Sequence, residues 1–177
     1  MVTAWRIGSF GLLILVLLGG IGAKEKGEVL PPKATGPQEA EVVGVLVDQQ
    51  SGQPLVVLQG KRDKRSFGMA IGHAEANGIA LPLRGITPPR PLTHDLFLTL
   101  FGRLKVTLTR VVITDLRDDI YYATLYLNAN GTEMTLDSRP SDAIALAIRA
   151  KVPVLVEDRV FDKAGTVPQR PGATPHI

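Results

Sequence analysis

Cysteine is absent from this chain of 177 residues, and it contains only three histidines and 5% aromatic residues. Without cysteine the protein has no disulfide bond, thiolate metal ligand, cysteine nucleophile or lipoprotein anchor. The scarcity of aromatic residues argues against a surface of stacking platforms for single-stranded nucleic acid. A formal net charge of +3 is too small to require a polyanionic partner by itself.

Standard catalytic motifs are also missing from the sequence. No glycine-rich loop of the P-loop or dinucleotide type occurs, which argues against a nucleotide cofactor, and neither GxSxG nor HExxH is present. The remaining inventory consists of carboxylates, histidines and arginines. It suits phosphodiester hydrolysis, because hard oxygen ligands hold Mg²⁺ or Mn²⁺ and arginine grips phosphate oxygens in bidentate fashion.

The composition of both ends of the chain predicts that they lie outside the folded domain. Arg6, the apolar run of residues 7–21 and the charged residues that follow fit a secretory signal peptide. The alternative is an uncleaved N-terminal anchor, although the run is short for a full span. We expect export to the periplasm or the cell exterior, or a membrane tether. The predicted organisation is a signal peptide or anchor (1–23), a flexible linker (24–40), one domain (41–165) and a disordered tail (166–177).

Hydrophobic patterning places strands and helices within that domain. Alternating apolar residues and turn signals at Ser51–Gly52 and Asn130–Gly131 predict hairpins. The predicted strands are residues 41–60 as a hairpin, 65–71, 106–114, 120–128, 132–137 and 152–156. The predicted helices are residues 73–81, 93–104, the apolar run after Pro140, and a last turn or two at 157–163. We therefore expect an α+β fold with a mixed, mainly antiparallel sheet, a buried central helix and two or three shorter helices.

Two of these helices carry local signals. In the first, Gly78 lowers helix stability and Pro82 is expected to kink or end the helix. In the second, Thr93 is the expected N-cap. Its leucines at positions 96, 100 and 104 are spaced to form one apolar face.

The stretch at residues 135–150 joins a strand end, a tight polar turn and an apolar helix. Pro140 stiffens the turn, and Ser141 or Asp142 is expected to cap the helix. Residues 143–148 are all apolar, which predicts a helix buried on every side. Polar residues of both signs at the mouth of a buried helix indicate a functional site.

The segment RPSDAIALA at residues 139–147 resembles the signature of the bifunctional nuclease (BFN-type) domain family. The order and spacing of further segments agree with that family over residues 41–165, and the resemblance implies nuclease activity on RNA, DNA or both. This chain departs from the family where Gly68 and Ala70 replace a proline and a tryptophan, and at Gly78 and Pro82. The further segments are IGHAEANGIALPLRG (71–85), PPRPLTHDLF (88–97) and VVITDLRDDIYYATL (111–125).

Eight residues are candidates for this chemistry, as bases, ligands or phosphate contacts. A metal site at the central turn would take Mg²⁺ or Mn²⁺ on Asp137 and Asp142. The predicted catalytic residues are Glu75, His94, Asp95, Asp137 and Asp142, and the predicted nucleic-acid contacts are Arg90, Arg139 and Ser141.

Each candidate also has a structural interpretation, and the sequence leaves both open. The basic run KRDKR at residues 61–65 is either a phosphate contact or a solvated hairpin tip. The structural alternatives are helix capping for Ser141 and Asp142, pairing with Asp137 or Asp142 for Arg139, offsetting the helix dipole for Asp95, a backbone carbonyl contact for His94, and an ordinary first-turn position for Glu75.

Two functions from different classes are compatible with the sequence. The first is an exported, metal-dependent nuclease acting on nucleic acid. The second is a non-catalytic oligomeric interaction module in which the central turn is structural. In either case we expect a homo-oligomer, because a small domain with exposed sheet edges can protect them in a closed dimer.

Overall fold

The computed structural model of the protein describes residues 36–165. The predicted signal peptide or anchor and the predicted tail lie outside these residues, as does most of the predicted linker. No helix within the described range has the length and apolarity needed to cross a bilayer. The elements are β1 (Gln38–Val47), β2 (Pro54–Gly60), β3 (Ser66–Ala70), α1 (His73–Leu83), α2 (Thr93–Arg103), β4 (Val106–Arg117), β5 (Ile120–Ala129), β6 (Thr132–Ser138), α3 (Pro140–Ala150), β7 (Val154–Val156) and α4 (Asp158–Lys163).

The seven strands form one sheet in the order β3-β2-β1-β7-β4-β5-β6. Only β4 and β7 are parallel among the described neighbours, and the other pairs are antiparallel. The predicted α+β class with a mixed, mainly antiparallel sheet is therefore confirmed. The three-residue strand β7 joins the β1–β3 block to the β4–β6 block.

The core occupies one face of this sheet. Side chains alternate between faces along a strand, and the buried residues Val56 and Leu58 lie two apart on β2, as Val111 and Ile113 do on β4. Residues of α1, α3 and α4 belong to the same buried cluster. The helices therefore pack against this face of the sheet.

The sheet curls so that the edge strand β3 approaches β5, the second strand from the other edge. Phe67 of β3 stacks on Tyr121 of β5 at 5.8 Å, although four strands separate β3 from β5. Phe161 of α4 meets Phe67 edge-on. Beside it, Arg62 and Arg65 of the KRDKR turn both donate to Asp158. Both arginines of that turn therefore hold α4 in place, which supports the structural interpretation of the basic run.

Helix α3 is the predicted core helix, and its residues 143–147 are all buried. The predicted capping is wrong, because the N-cap is Arg139, with extended backbone, and Pro140 occupies the first turn. Ser141 and Asp142 lie inside the helix and make no side-chain cap hydrogen bond. Pro140 is suited to this place because its missing N–H would have no partner in the first turn.

Helix α1 is longer than predicted and runs through Pro82 to Leu83. A proline inside a helix removes the N–H that would reach the carbonyl four residues earlier. Here that carbonyl belongs to Gly78, and it accepts a hydrogen bond from Arg149 of α3 instead. The helix continues because a neighbouring side chain supplies the missing donor.

Helix α2 differs from the prediction at its start and in its orientation. Thr93 is the first helical residue rather than the N-cap, which is Leu92. The predicted apolar face is exposed, since Leu96, Leu100 and Leu104 are 58%, 51% and 60% accessible. Leu98 and Phe101, on the other side of α2, pack against the core. The spacing of the three leucines correctly indicates one apolar face of α2, but the core packs against the opposite face of the helix.

Strand β1 begins at Gln38, inside the segment predicted as linker. It pairs with β2 along residues 40–47, whereas β7 pairs with it over residues 38–40. Within the described part of the chain, residues 41–47 therefore keep one backbone edge without a strand partner. Three large apolar side chains on this segment are at least half exposed, namely Val43, Leu46 and Val47.

Candidate active site

The first turns of three helices meet at the polar end of α3. Glu75 of α1, His94 of α2 and Asp142 of α3 each lie in a first turn, and all three line one cleft. A helix N-terminus carries N–H groups without helical partners and a partial positive charge. Three such ends around one cleft favour an anionic ligand such as phosphate.

Arg139 connects two of these helix starts. Its Nε donates to Asp142 Oδ2 at 2.7 Å and its Nη2 to Asp142 Oδ1 at 3.1 Å. Its Nη1 lies 2.9 Å from Glu75 Oε1. These contacts leave one N–H each on Nη1 and Nη2 without a partner among the described residues. The side chain is 65% accessible, so an incoming anion can reach it.

His94 supports Asp142 from the other side. Its Nε2 lies 3.2 Å from Asp142 Oδ1, and because a carboxylate only accepts, we assign the proton to Nε2. The other ring nitrogen, Nδ1, is buried without a hydrogen-bond partner among residues 36–165. A Cβ placed on Gly78 would lie 3.2 Å from Nδ1 and 2.9 Å from Cε1. Gly78 therefore leaves the space that the imidazole ring occupies.

The side chain of Arg149 connects α3 to both α1 and α2. Its side chain is only 9% accessible, and its Nε donates to Asp95 Oδ1 of α2 at 2.8 Å. Its Nη1 donates to the Gly78 carbonyl of α1 at 2.5 Å and to the Ala145 carbonyl of α3 at 2.9 Å. Asp95 also accepts the Leu92 N–H at 2.8 Å. This contact fixes the start of α2, on which His94 lies.

The pKa values of Asp142 and Asp95 are both lowered, which favours the ionised carboxylates. Burial raises the pKa of Asp142, but the hydrogen bonds from Arg139 and His94 outweigh it and leave the pKa below its usual value. Burial likewise raises the pKa of Asp95, and the Leu92 N–H and Arg149 bring it below its usual value. Each lowered pKa stabilises the fold above the ordinary carboxyl pKa, and this contribution is lost as the pH falls through the lower, folded-state pKa.

Two clefts flank the Arg139–Asp142 pair. The first, of about 580 Å³, lies between α1 and α2, and its lining combines the polar residues Glu75, Asn77 and His94 with Leu81 and Leu92. The second, of about 520 Å³, lies between α2 and β6. Both volumes fall in the range of small-molecule sites, roughly 300–1,000 Å³. Thr93, His94, Arg139 and Asp142 line both clefts.

Comparison with known proteins supplies the family. The model of the Bifunctional nuclease domain matches residues 56–169, which include all three helix starts and both clefts. The chain belongs to the bifunctional nuclease domain family. An uncharacterized protein of Mycobacterium tuberculosis, Rv1829, is 41% identical over 127 residues, covering 72% of this chain and 76% of the relative.

Two BFN-type relatives from rice species carry a functional name. Bifunctional nuclease 1 of Oryza sativa subsp. japonica is 40% identical over 81 residues, which cover 44% of this chain and 24% of that protein. Bifunctional nuclease of Oryza minuta matches to the same extent. The matched 81 residues therefore span about a quarter of each rice protein.

The BFN-type fold brings four of the predicted site residues into contact, namely Glu75, His94, Arg139 and Asp142. His94 contacts a carboxylate rather than a backbone carbonyl, and Arg139 pairs with Asp142 rather than Asp137. Asp137 is exposed and lines the second cleft. It shares that cleft with Asp142 and Arg139.

The other three predicted residues lie away from this cluster. Asp95 pairs with Arg149 and caps α2, in agreement with its structural interpretation. Ser141 is 7% accessible, which keeps it out of reach of a polymer. Arg90 is exposed in the loop before α2 and lines neither cleft.

Sequence reasoning missed the residues that shape the site of this BFN-type domain. Arg149 was not among the predicted site residues, although a lone arginine directly after the apolar run of residues 143–148 indicates a charge that needs partners in the core. Gly78 and Pro82 were departures from the family pattern. The structure connects all three, because the Gly78 carbonyl lacks the Pro82 donor and receives Arg149.

Mg²⁺ and Mn²⁺ prefer oxygen ligands, which the predicted metal ligands Asp137 and Asp142 carry. No group of three histidine, aspartate or glutamate side chains within residues 36–165 is arranged to hold a metal ion. Asp137 and Asp142 line the same cleft. Mg²⁺ is often held by one or two carboxylates, with waters and substrate phosphates as its other ligands. Asp137 and Asp142 would supply those carboxylates, and the rest of the coordination would come from substrate and water.

Proposed function

We propose that this BFN-type domain hydrolyses phosphodiester bonds of RNA, DNA or both. The observation that carries the proposal is the arginine–carboxylate–histidine cluster where three helix N-termini meet at two clefts. The family and the rice relatives named as bifunctional nucleases support the same chemistry. A phosphodiester is an anion, and in this cluster three positive helix ends lie beside an accessible guanidinium.

Each residue of the cluster has a distinct part in the proposal. Arg139 offers its two remaining N–H groups to non-bridging phosphate oxygens, while Asp142 and Glu75 keep the guanidinium in place. His94 acts as a positioning residue for Asp142, because its Nδ1 faces Gly78 and is buried. Asp137 contributes a carboxylate in the second cleft that could hold water or a cation. Binding and charge stabilisation of the phosphate thus fall to Arg139 and the helix ends.

Dependence on Mg²⁺ or Mn²⁺ is part of this proposal. Asp137 and Asp142 would hold the ion together with substrate oxygens. When bound, such an ion activates water and offsets charge on the phosphate. Removal of divalent cations with EDTA is then expected to abolish cleavage, and added Mg²⁺ or Mn²⁺ to restore it.

The proposed function is tested by cleavage of labelled single-stranded and duplex RNA and DNA. Asp142→Asn is expected to cleave about 100-fold more slowly or worse, because it removes a charge that orients Arg139. Arg139→Ala is expected to lose cleavage with a stability change below about 1 kcal/mol, since its ion pairs are exposed. Asp118→Asn, which replaces an exposed carboxylate in the β4–β5 turn, serves as the matched control.

The alternative of a non-catalytic interaction module predicts a different result. It expects no cleavage by the purified wild-type protein under any condition of metal or substrate. Cleavage that persists unchanged in both Asp142→Asn and Arg139→Ala would also contradict the proposed site. Urea unfolding of each variant shows that a loss of activity is not a loss of fold.

We also propose that the chain is exported or tethered to a membrane through residues 1–23. The support is the sequence pattern of a positive start followed by an apolar run. Cell fractionation of the full chain separates the cases. A protein found in the cytosolic fraction alone would contradict both.

We further propose that the domain self-associates through the free edge of β1. Residues 41–47 have an unpaired backbone edge within the described range, and Val43, Leu46 and Val47 are 50%, 54% and 64% accessible. An apolar unpaired edge readily adds another strand. A second copy can satisfy it by pairing in a closed two-fold dimer.

Light scattering of the wild type and of charged variants tests this proposal. The wild type is expected to be a dimer, and Leu46→Lys a monomer, because a lysine on an edge opposes strand addition. Leu104→Lys is the matched control, since Leu104 is equally exposed but lies after α2. A wild-type monomer at every concentration, or dissociation by Leu104→Lys alone, would contradict the β1 interface.

A further inference from the structure

The second cleft differs in chemistry from the first. Its floor is formed by the buried residues Leu125 and Leu146, and its sides by Phe97, Phe101 and Leu136. Phe97 is 46% accessible, and its ring lies 6.2 Å from that of Phe101 at an angle of 72°. An apolar, aromatic cleft with an accessible ring is suited to a flat apolar group.

The cleft opens directly onto the proposed phosphate site. Arg139 and Asp142 line both clefts, so an anion bound at Arg139 lies at the boundary between them. A group attached to that anion can therefore enter the apolar cleft while the phosphate remains at the guanidinium. The ligand must combine a charged end with a flat, largely apolar end.

We propose that the second cleft is a nucleobase subsite, in which a base adjoining the bound phosphate stacks on Phe97. This proposal rests on the proposed function and specifies how its substrate is held. Every base has a stacking face, so aromatic contact binds bases with little regard to sequence. One cleft with one accessible ring accommodates one base, which agrees with a chain that has few aromatic residues.

Leu136 defines the opposite side of the cleft. It lies on the edge strand β6, and it is 47% accessible like Phe97. Leu136 pairs in register with Leu125 of β5, which places both side chains on the core face of the sheet. A base between Phe97 and Leu136 would cover apolar surface on both of these residues. Burial of this surface adds to the stacking contribution.

Calorimetric titration of the full chain tests the subsite without requiring catalysis. The probes are CMP and dCMP, with ribose 5-phosphate and inorganic phosphate as ligands that lack a base. The wild type is expected to bind the nucleotides about tenfold more tightly than ribose 5-phosphate. Phe97→Ala and Phe97→Leu are expected to abolish this difference and leave phosphate binding unchanged. Phe97→Leu keeps an apolar side chain and so protects the test against loss of fold.

Leu96→Ala is the matched control, because Leu96 is an exposed neighbour of Phe97 on α2 that does not line the cleft. It is expected to retain the preference for nucleotides. Equal binding of CMP and ribose 5-phosphate by the wild type, or equal effects of Leu96→Ala and Phe97→Ala, would overturn the subsite. A protein that prefers CMP but cleaves nothing would support the subsite and overturn the proposed function. A protein that cleaves nucleic acid but binds CMP no more tightly than ribose 5-phosphate would support the proposed function and overturn the subsite.

Discussion

Replacing Arg149 with alanine is expected to lower the free energy of unfolding by about 2–3 kcal/mol and to reduce cleavage. The substitution removes the donor to the Gly78 carbonyl and the cation beside Asp95. The buried Gly78 carbonyl left without a donor accounts for about 1–3 kcal/mol of this cost, and loss of the ion pair with the partly exposed Asp95 adds to it. Because Asp95 caps α2 through Leu92, the His94 contact with Asp142 is expected to loosen as well. Urea unfolding and the cleavage assay measure the two effects.

A double-mutant cycle with Pro82 isolates the cause. Pro82→Ala supplies an N–H that can reach the Gly78 carbonyl within α1. In that background Arg149→Ala is expected to cost less than in the wild type, because one of its partners is already satisfied. Equal costs in the two backgrounds would show that the proline and the arginine are independent. Arg103→Ala, at the exposed end of α2, is the control for loss of charge alone.

Gly78→Ala is expected to reduce cleavage at least tenfold and to destabilise the fold by about 1–2 kcal/mol. Alanine is the better helix former by roughly 1 kcal/mol, so an exposed glycine would give the opposite sign. Here the new Cβ would lie 2.9 Å from His94 Cε1, and the ring must move away from Asp142. Thermal unfolding and cleavage rates measure the two consequences.

Removing the imidazole reverses the expected sign. In a His94→Ala background the space beside Gly78 is open, and Gly78→Ala is expected to stabilise the protein by up to about 1 kcal/mol. The cycle therefore gives a destabilisation in one background and a stabilisation in the other. The same sign in both would mean that His94 does not occupy the space above Gly78.

The strands and the core helix could be predicted because their signals are local. Asn130 and Gly131 both adopt positive φ, at 52° and 88°, as the two-residue hairpin turn requires. Residues 143–147 are apolar without interruption and are all buried. Turn chemistry and unbroken hydrophobic runs act over a few residues, so they are visible in one sequence.

The orientation of α2 and the composition of the site depend on contacts between distant segments. The leucine ridge of α2 has the spacing of a core face, but the core lies against Leu98 and Phe101. Asp137 and Asp142 are close in sequence, but only Asp142 is paired with Arg139. The second partner of Asp142 is His94, which comes from another helix. Asp137 lines the second cleft beside them. The spacing of apolar residues within one helix does not determine which helix N-termini come together in the fold.

The short strand β7 has a consequence for the order in which the chain folds. The β1–β3 and β4–β6 blocks are built from neighbouring hairpins, which close short loops and form early. Their union requires residues 154–156 of β7 to insert between β1 and β4. Strands β1 and β7 lie near opposite ends of the described residues. Closure of such a long loop is entropically costly and is expected to come late. During synthesis, residues 38–40 of β1 therefore remain without their β7 partner until residues 154–156 have left the ribosome.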